Sequence, residues 1–106
     1  MSATIHNNPV RNLSPKEWNR FCRKNHIRKI SLFGSALRGE MHAESDIDLL
    51  VEFIPDREPG LIDLANMEFE LQERFGREVE MRTPEDLSRF FRDEVIASAE
   101  VLYEEK

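Results

Sequence analysis

The sequence predicts a single α+β domain in which helices and strands alternate and pack as two layers. Three observations carry that expectation. At 106 residues the chain can bury about two thirds of its unfolded surface around one core but is too short for a second. Apolar residues recur at steps of three or four in some stretches and at every second position in others. Two cap-then-proline signatures, Leu13-Ser14-Pro15-Lys16-Glu17-Trp18 and Thr83-Pro84-Glu85-Asp86, mark helix starts.

In the first signature Ser14 is the N-cap, Pro15 takes the first helical position, Glu17 closes a capping box and Leu13 staples onto Trp18. Trp18, Phe21 and Cys22 make one apolar stripe on a helix that should end near Asn25. Ile27 to Phe33 reads as a strand running into Gly34. Asp46 to Phe53 reads as a second, with Ile47, Leu49, Val51 and Phe53 on one face and Asp46, Asp48 and Glu52 on the other. After a break from Pro55 to Gly60, Leu64, Met67, Leu71 and Phe75 predict a helix that stops at Gly76. Arg77 to Arg82 reads as a short strand, Val79 and Met81 facing one way and Glu78 and Glu80 the other. The second signature should open a bent helix to about Ser98 that carries Leu87, Phe90 and Phe91. Val101-Leu102-Tyr103 fits either a last strand or a helix end.

Composition narrows the function. The chain is 40% hydrophobic and 34% charged, with a net charge of −6, which disfavours a protein built to grip nucleic acid through phosphate contacts. Arginine makes up eleven of the fifteen basic residues, scattered rather than clustered. No apolar run is long enough to span a membrane, and MSATIHNNPV lacks the basic start and apolar core of a signal peptide, so a cytoplasmic location is expected. Cys22 is the only cysteine, which excludes an internal disulfide and a cysteine-based zinc site.

The stretch GSALRGEMHAESDIDLLVEF, Gly34 to Phe53, carries the chemistry. It is not a P-loop, because Glu40 and Met41 stand where lysine and a hydroxyl residue are needed. It is not an EF-hand either, because Leu50 and Val51 occupy a ligand position and the required glycine. Residues two apart on a strand share a side with Cα atoms about 6.6 Å apart. Two carboxylates at such a spacing repel by roughly 2 to 3 kcal/mol at an effective dielectric near 20. One reading has Asp46 and Asp48 exposed at a strand end, each bonding a neighbouring turn. The other makes them a clamp for Mg²⁺, a hard cation held by one or two carboxylates plus substrate phosphates. Gly34 and Ser35 favour the second, since glycine lets backbone approach a phosphate and the following N–H groups and hydroxyl can hold its oxygens, with Arg38 adding charge.

Gly34-Ser35, Arg38-Gly39 and Ser45-Asp46-Ile47-Asp48-Leu49-Leu50-Val51 together resemble the signature of the polymerase-β-type nucleotidyltransferases in their shortest form, the minimal nucleotidyltransferases (MNT). The likeness extends over the helix ending at Gly76, Arg77-Glu78-Val79-Glu80-Met81, and Ala99-Glu100-Val101-Leu102-Tyr103. Residues 1–12 lie outside it, as an N-terminal extension to a domain of residues 13–106. The resemblance implies a nucleotidyltransferase fold, a mixed β-sheet flanked by helices. It implies a site with catalytic and metal-binding Asp46, Asp48 and Glu80, nucleotide-binding Gly34, Ser35 and Arg38, two Mg²⁺ ions, and ATP as substrate. Family members usually carry aspartate, in a Val-Asp-Leu context, where this chain has Glu80, whose extra methylene either still reaches a metal or leaves the attacking hydroxyl without a ligand or base. Glu80 also reads simply as an exposed strand residue. His6, His26 and His42 have no motif context and read as surface histidines.

Stand-alone MNT proteins resemble the antitoxin halves of two-component modules whose partner is a helical HEPN-domain toxin, typically a ribonuclease. The resemblance implies transfer of AMP from ATP to a tyrosine of that toxin, with release of pyrophosphate and no direct nucleic-acid or membrane contact. One alternative is a catalytically weak antitoxin that neutralises its partner sterically. Another is transfer to a small molecule such as an aminoglycoside, for which a further substrate-binding region is generally needed. Phe90, Phe91, Val101, Leu102 and Tyr103 offer a docking surface, although core packing is the expected fate of most of them.

Overall fold

A computed structural model describes residues 13–34 and 47–105. In chain order its elements are helix α1 (Pro15–Lys24), strands β1 (Ile27–Phe33) and β2 (Ile47–Phe53), helix α2 (Leu61–Phe75), strand β3 (Val79–Arg82), a 3₁₀ turn (Pro84–Asp86), helix α3 (Arg92–Ser98) and strand β4 (Glu100–Glu104).

α1 begins as its sequence dictates. The Ser14 hydroxyl accepts from the Glu17 N–H at 3.2 Å and the Glu17 carboxylate accepts from the Ser14 N–H at 2.9 Å, so two helix-end donors that water would otherwise satisfy are held. The Ser14 N–H, and then the Arg74 guanidinium, hold the Glu17 carboxyl below its ordinary pKa. α2 ends at Gly76, whose φ of 70° is the left-handed conformation glycine adopts without a Cβ clash.

The described strands form one sheet ordered β3-β2-β1-β4. β1 pairs antiparallel with both β2 and β4, and β2 pairs parallel with β3 through the α2 crossover. The sheet is therefore mixed, as expected. The tail resolves as a strand because β1 has an open edge: Ile30 is flanked by Val51 on one side and Tyr103 on the other. A register shift between Ile27 and Lys29 turns Ile27 back to the core side, so it is buried along with Ile30 and Leu32.

α1 and α2 cover one face of the sheet. Trp18, Phe21 and Cys22 from α1 and Met67, Leu71 and Phe75 from α2 pack with Ile30, Leu32, Ile47, Leu49, Val51, Val79 and Met81 in one core. The Trp18 and Phe75 rings, 6.1 Å apart, join the two helices at its centre. At the rim, Lys24–Glu70 at 3.1 Å and Arg74–Glu17 at 2.6 Å tie α1 to α2. Cys22 is fully enclosed, and that burial pushes its thiol pKa up to about 12.

The expected bent helix from Thr83 to Ser98 is not what forms. Thr83 and Asp86 do make a capping box, with the Thr83 N–H donating to Asp86 Oδ2 at 3.1 Å, but it closes only the 3₁₀ turn. Leu87 is extended at φ −85° and ψ 145°. The Arg92 guanidinium donates to the Pro84 carbonyl at 2.7 Å and the Leu87 carbonyl at 3.2 Å, so a side chain replaces the N–H donors of a continuing helix. Phe90 and Phe91 then fall between elements and are 84% and 60% exposed. For them and for Val101, also exposed, the core-packing expectation is corrected; Leu102 and Tyr103 do pack against the core.

Leu71→Ala should lower unfolding free energy by about 2 to 5 kcal/mol in urea titrations because it opens a cavity in a buried helix face. Phe90→Ala should change it by no more than about 0.5 kcal/mol. A thiol reagent at mildly alkaline pH should label Cys22 only as fast as the chain unfolds, and rapid labelling of the native protein would contradict the enclosed position.

Candidate functional site

The end of the sheet where β1 stops and β2 starts carries the described site residues. Phe33, the last residue of β1, lies opposite Asp48. Gly34 follows with a φ of +84°, and a Cβ added there would sit 2.7 Å from Asp48 Oδ2. Both facts require glycine: the conformation disfavours an L side chain, and the Asp48 carboxylate occupies the space one would need. Glycine and acid, fourteen positions apart in sequence, are thus in contact because a strand pair brings them together.

The parallel β2–β3 pairing sets Asp48 beside Glu80. Neighbouring strands lie about 4.8 Å apart and in-register side chains point to the same face, so both carboxylates rise from the face opposite the α1–α2 core. Asp48 is half-buried. The Glu80 side chain is 49% exposed and pairs through Oε2 with the Arg82 guanidinium at 2.9 Å. Leu50 and Ser31 lie side by side on this same face and are buried.

Two residues that sequence reading passed over support the acid on β3. Arg82, two positions on, is the cation that Glu80 meets. Glu68 of α2 reaches the outer edge of β3, where Oε2 accepts from the Met81 N–H at 2.8 Å. It closes an edge donor that no other strand among the described residues satisfies. Glu68 was legible in principle, because it falls inside the helical stripe of Leu64, Leu71 and Phe75, and an acid on a core face needs a partner. Glu68, Gln72, Glu78 and Glu80 line a shallow concavity there.

Asp46, Ser35, Arg38, His6 and His42 lie outside the described residues. His26 is exposed, at φ 59° in the turn between α1 and β1, at the far end of β1 from Gly34.

The donors fit a hard divalent cation. Asp48 and Glu80 offer carboxylate oxygens from adjacent in-register positions, and Mg²⁺ takes such oxygens at about 2.1 Å while leaving other positions for water and phosphate. Among the described residues no three His, Cys, Asp or Glu converge to hold an ion, so the described part of such a site is two carboxylates. Beside them lies the Gly34 backbone, against which the Asp48 carboxylate is seated.

A mixed sheet with helices on one face, and acids on β2 and β3 next to a glycine that ends β1, defines an α+β domain of the nucleotidyltransferase fold. The chain belongs to the Nucleotidyltransferase domain family, which it matches over residues 15–102, and its activity class is transfer of a nucleotidyl group. It is 36% identical over 76 residues to MJ0435 of Methanocaldococcus jannaschii, to which protein adenylyltransferase activity is ascribed; the match covers 72% of this chain and 80% of that protein. Its fold is similar to a chain of a toxin–antitoxin crystal structure with AMP-PNP, at a TM-score of 0.69 and 22% identity over 89% of this chain and 76% of that one. It is also similar to a chain in the complex of tri-AMPylated Shewanella oneidensis HEPN toxin with MNT antitoxin, at a TM-score of 0.62 and 18% identity over 91% and 72% of the two chains.

Gly34→Ala should destabilise the fold by about 1 to 3 kcal/mol, the range for a strained backbone position. It should also displace the Asp48 carboxylate. Binding of a non-hydrolysable ATP analogue, followed by calorimetry at a temperature where the variant is folded, should weaken far more than in Gly76→Ala, which carries a comparable backbone strain at the end of α2.

Proposed function

We propose that this chain is an antitoxin that transfers AMP from ATP to a tyrosine of a cognate HEPN-domain ribonuclease toxin and so silences it. The observation that carries this reading is the contact of the Asp48 carboxylate with Gly34, with Glu80 in register beside it. A strand-end glycine seated against one acid, with a second acid in register, suits the metal-assisted chemistry of phosphoryl and nucleotidyl transfer. Support also comes from the adenylyltransferase ascribed to MJ0435 and from fold neighbours solved as toxin–antitoxin complexes.

In this mechanism the Gly34 backbone, with Ser35 and Arg38, holds the β- and γ-phosphates and orients the triphosphate. The tyrosine hydroxyl oxygen attacks the α-phosphorus, a new P–O bond forms, the bond to the α–β bridging oxygen breaks, and pyrophosphate leaves. Glu80 either takes the phenolic proton, which half exposure lets it pass to water, or joins Asp46 and Asp48 in holding the second metal. Two Mg²⁺ ions, held by Asp46 and Asp48 and in the second case also by Glu80, would supply neutralisation of the phosphate charge when bound. Asp48 is seated against Gly34 and so keeps its place without reorganisation as the substrate enters.

The Glu80–Arg82 ion pair favours one second reading. A carboxylate held by a guanidinium must leave that partner before it can reach a metal or a substrate, as in a sterically acting, catalytically weak antitoxin.

Incubation with the product of the adjacent gene, Mg²⁺ and α-labelled ATP should place label on a tyrosine of that product. Asp48→Ala should lower the rate on the order of 10²-fold or more. No Mg²⁺-dependent label on the partner would refute transfer. Neutralisation that survives Asp46→Asn together with Asp48→Asn would establish the steric reading instead.

A further inference from the structure

α2 carries a second apolar stripe that the fold does not use. Leu61, Ile62 and Phe69 are 86%, 78% and 62% exposed. At about 100° per residue Ile62 and Phe69 fall about 20° apart on the side turned away from the buried Met67, Leu71 and Phe75, with Ala65 next to them and Leu61 at the margin nearer the core. Exposed apolar residues scattered singly need no explanation, but a stripe aligned over two turns marks a surface that meets something.

The flank of that stripe is acidic. Asp63, Glu70 and Glu73 are all exposed along it. Asp63 also lines an open cleft with Asp56 and Glu58, in which Glu70 is already paired with Lys24, and Arg57 and His26 are the other basic residues of the lining. An apolar line beside an acid-lined cleft is the complement of a helix with apolar anchors at i, i+4 and i+8 and Lys or Arg along one edge. A second copy of this chain is a poorer occupant, because the same acids would face one another.

Placement adds a reason. β2 leads away from Asp48, and α2 returns the chain to β3, where Val79 pairs with Ile47. The stripe therefore starts at the far end of the sheet and runs back toward the end that carries the site. A helix lying on it would leave the acids uncovered, because α2 packs on the sheet face opposite the one from which they rise.

We propose that the outer stripe of α2 is the docking surface for a basic amphipathic helix of the partner protein. The partner's identity rests on the function proposed above, whereas the surface is a property of α2 alone. Affinity of the full chain for the adjacent-gene product, measured by calorimetry at physiological salt, should fall at least about tenfold in Phe69→Asp and in Ile62→Asp. Both variants should keep the wild-type melting temperature and ATP-analogue affinity, since neither side chain is buried or near the site. Asp63→Lys with Glu73→Lys should weaken binding and flatten its dependence on salt.

Wild-type affinity in all of these variants would overturn the proposal while leaving AMP transfer intact. So would loss of affinity in Phe90→Asp but not in the α2 variants, which would move docking to the C-terminal aromatics. A homodimer in light scattering that Phe69→Asp dissociates would assign the stripe to a second copy. If the wild-type chain neither binds nor labels the adjacent-gene product, the docking and the proposed function fall together.

Discussion

The pairing of β1 with β2 is the constraint on which the rest of the structure depends. It is antiparallel and in register up to Phe33 and Asp48, so the first residue beyond β1 must pass the Asp48 carboxylate at van der Waals range, and only glycine can do so. β1 also accepts β4 on its other side, and β2 accepts β3. The two strands are thus both the centre of the described sheet and the frame that places Gly34 and Asp48. Leu49 and Val51, fully enclosed, lie one and three positions from Asp48 on the opposite face.

Charge is arranged around that frame by distance from the core. Acids next to it are engaged: Glu68 closes the β3 edge, Glu80 meets Arg82, and Glu17 joins a cap to an ion pair. The exposed pairs contribute little to stability individually, since solvent screens them. Their effect is to orient carboxylates, which matters more at Glu80, in register with a second acid, than at Lys24–Glu70 on the rim.

Much of this was legible along the chain because it depends on neighbours in sequence. The α1 cap, the α2 stop at Gly76 and the alternation of β2 each follow from residues within a few positions of one another, and each was expected. The Thr83 signature was legible only in part. Its capping box forms, yet nothing local reveals that Arg92 will take the carbonyls of Pro84 and Leu87 and break the helix. The pairing of Glu68 with Met81 and of Glu80 with Arg82 needed the fold as well, although a glutamate inside a core stripe was a warning.

By itself the sequence determined where α1 and α2 begin and end, which faces α1, β2 and α2 bury in the core, and that two aspartates follow a glycine-serine pair in a pattern that resembles nucleotidyltransferases. Only the tertiary structure decided that Gly34 touches Asp48, that Asp48 has Glu80 as its neighbour, that the tail pairs with β1, and that Phe90 and Phe91 face water while α2 shows a second apolar side. The reason is physical: caps and periodicity are set by chemistry a few residues apart, whereas register between strands is set by which faces can be buried together, and that is a property of the whole core.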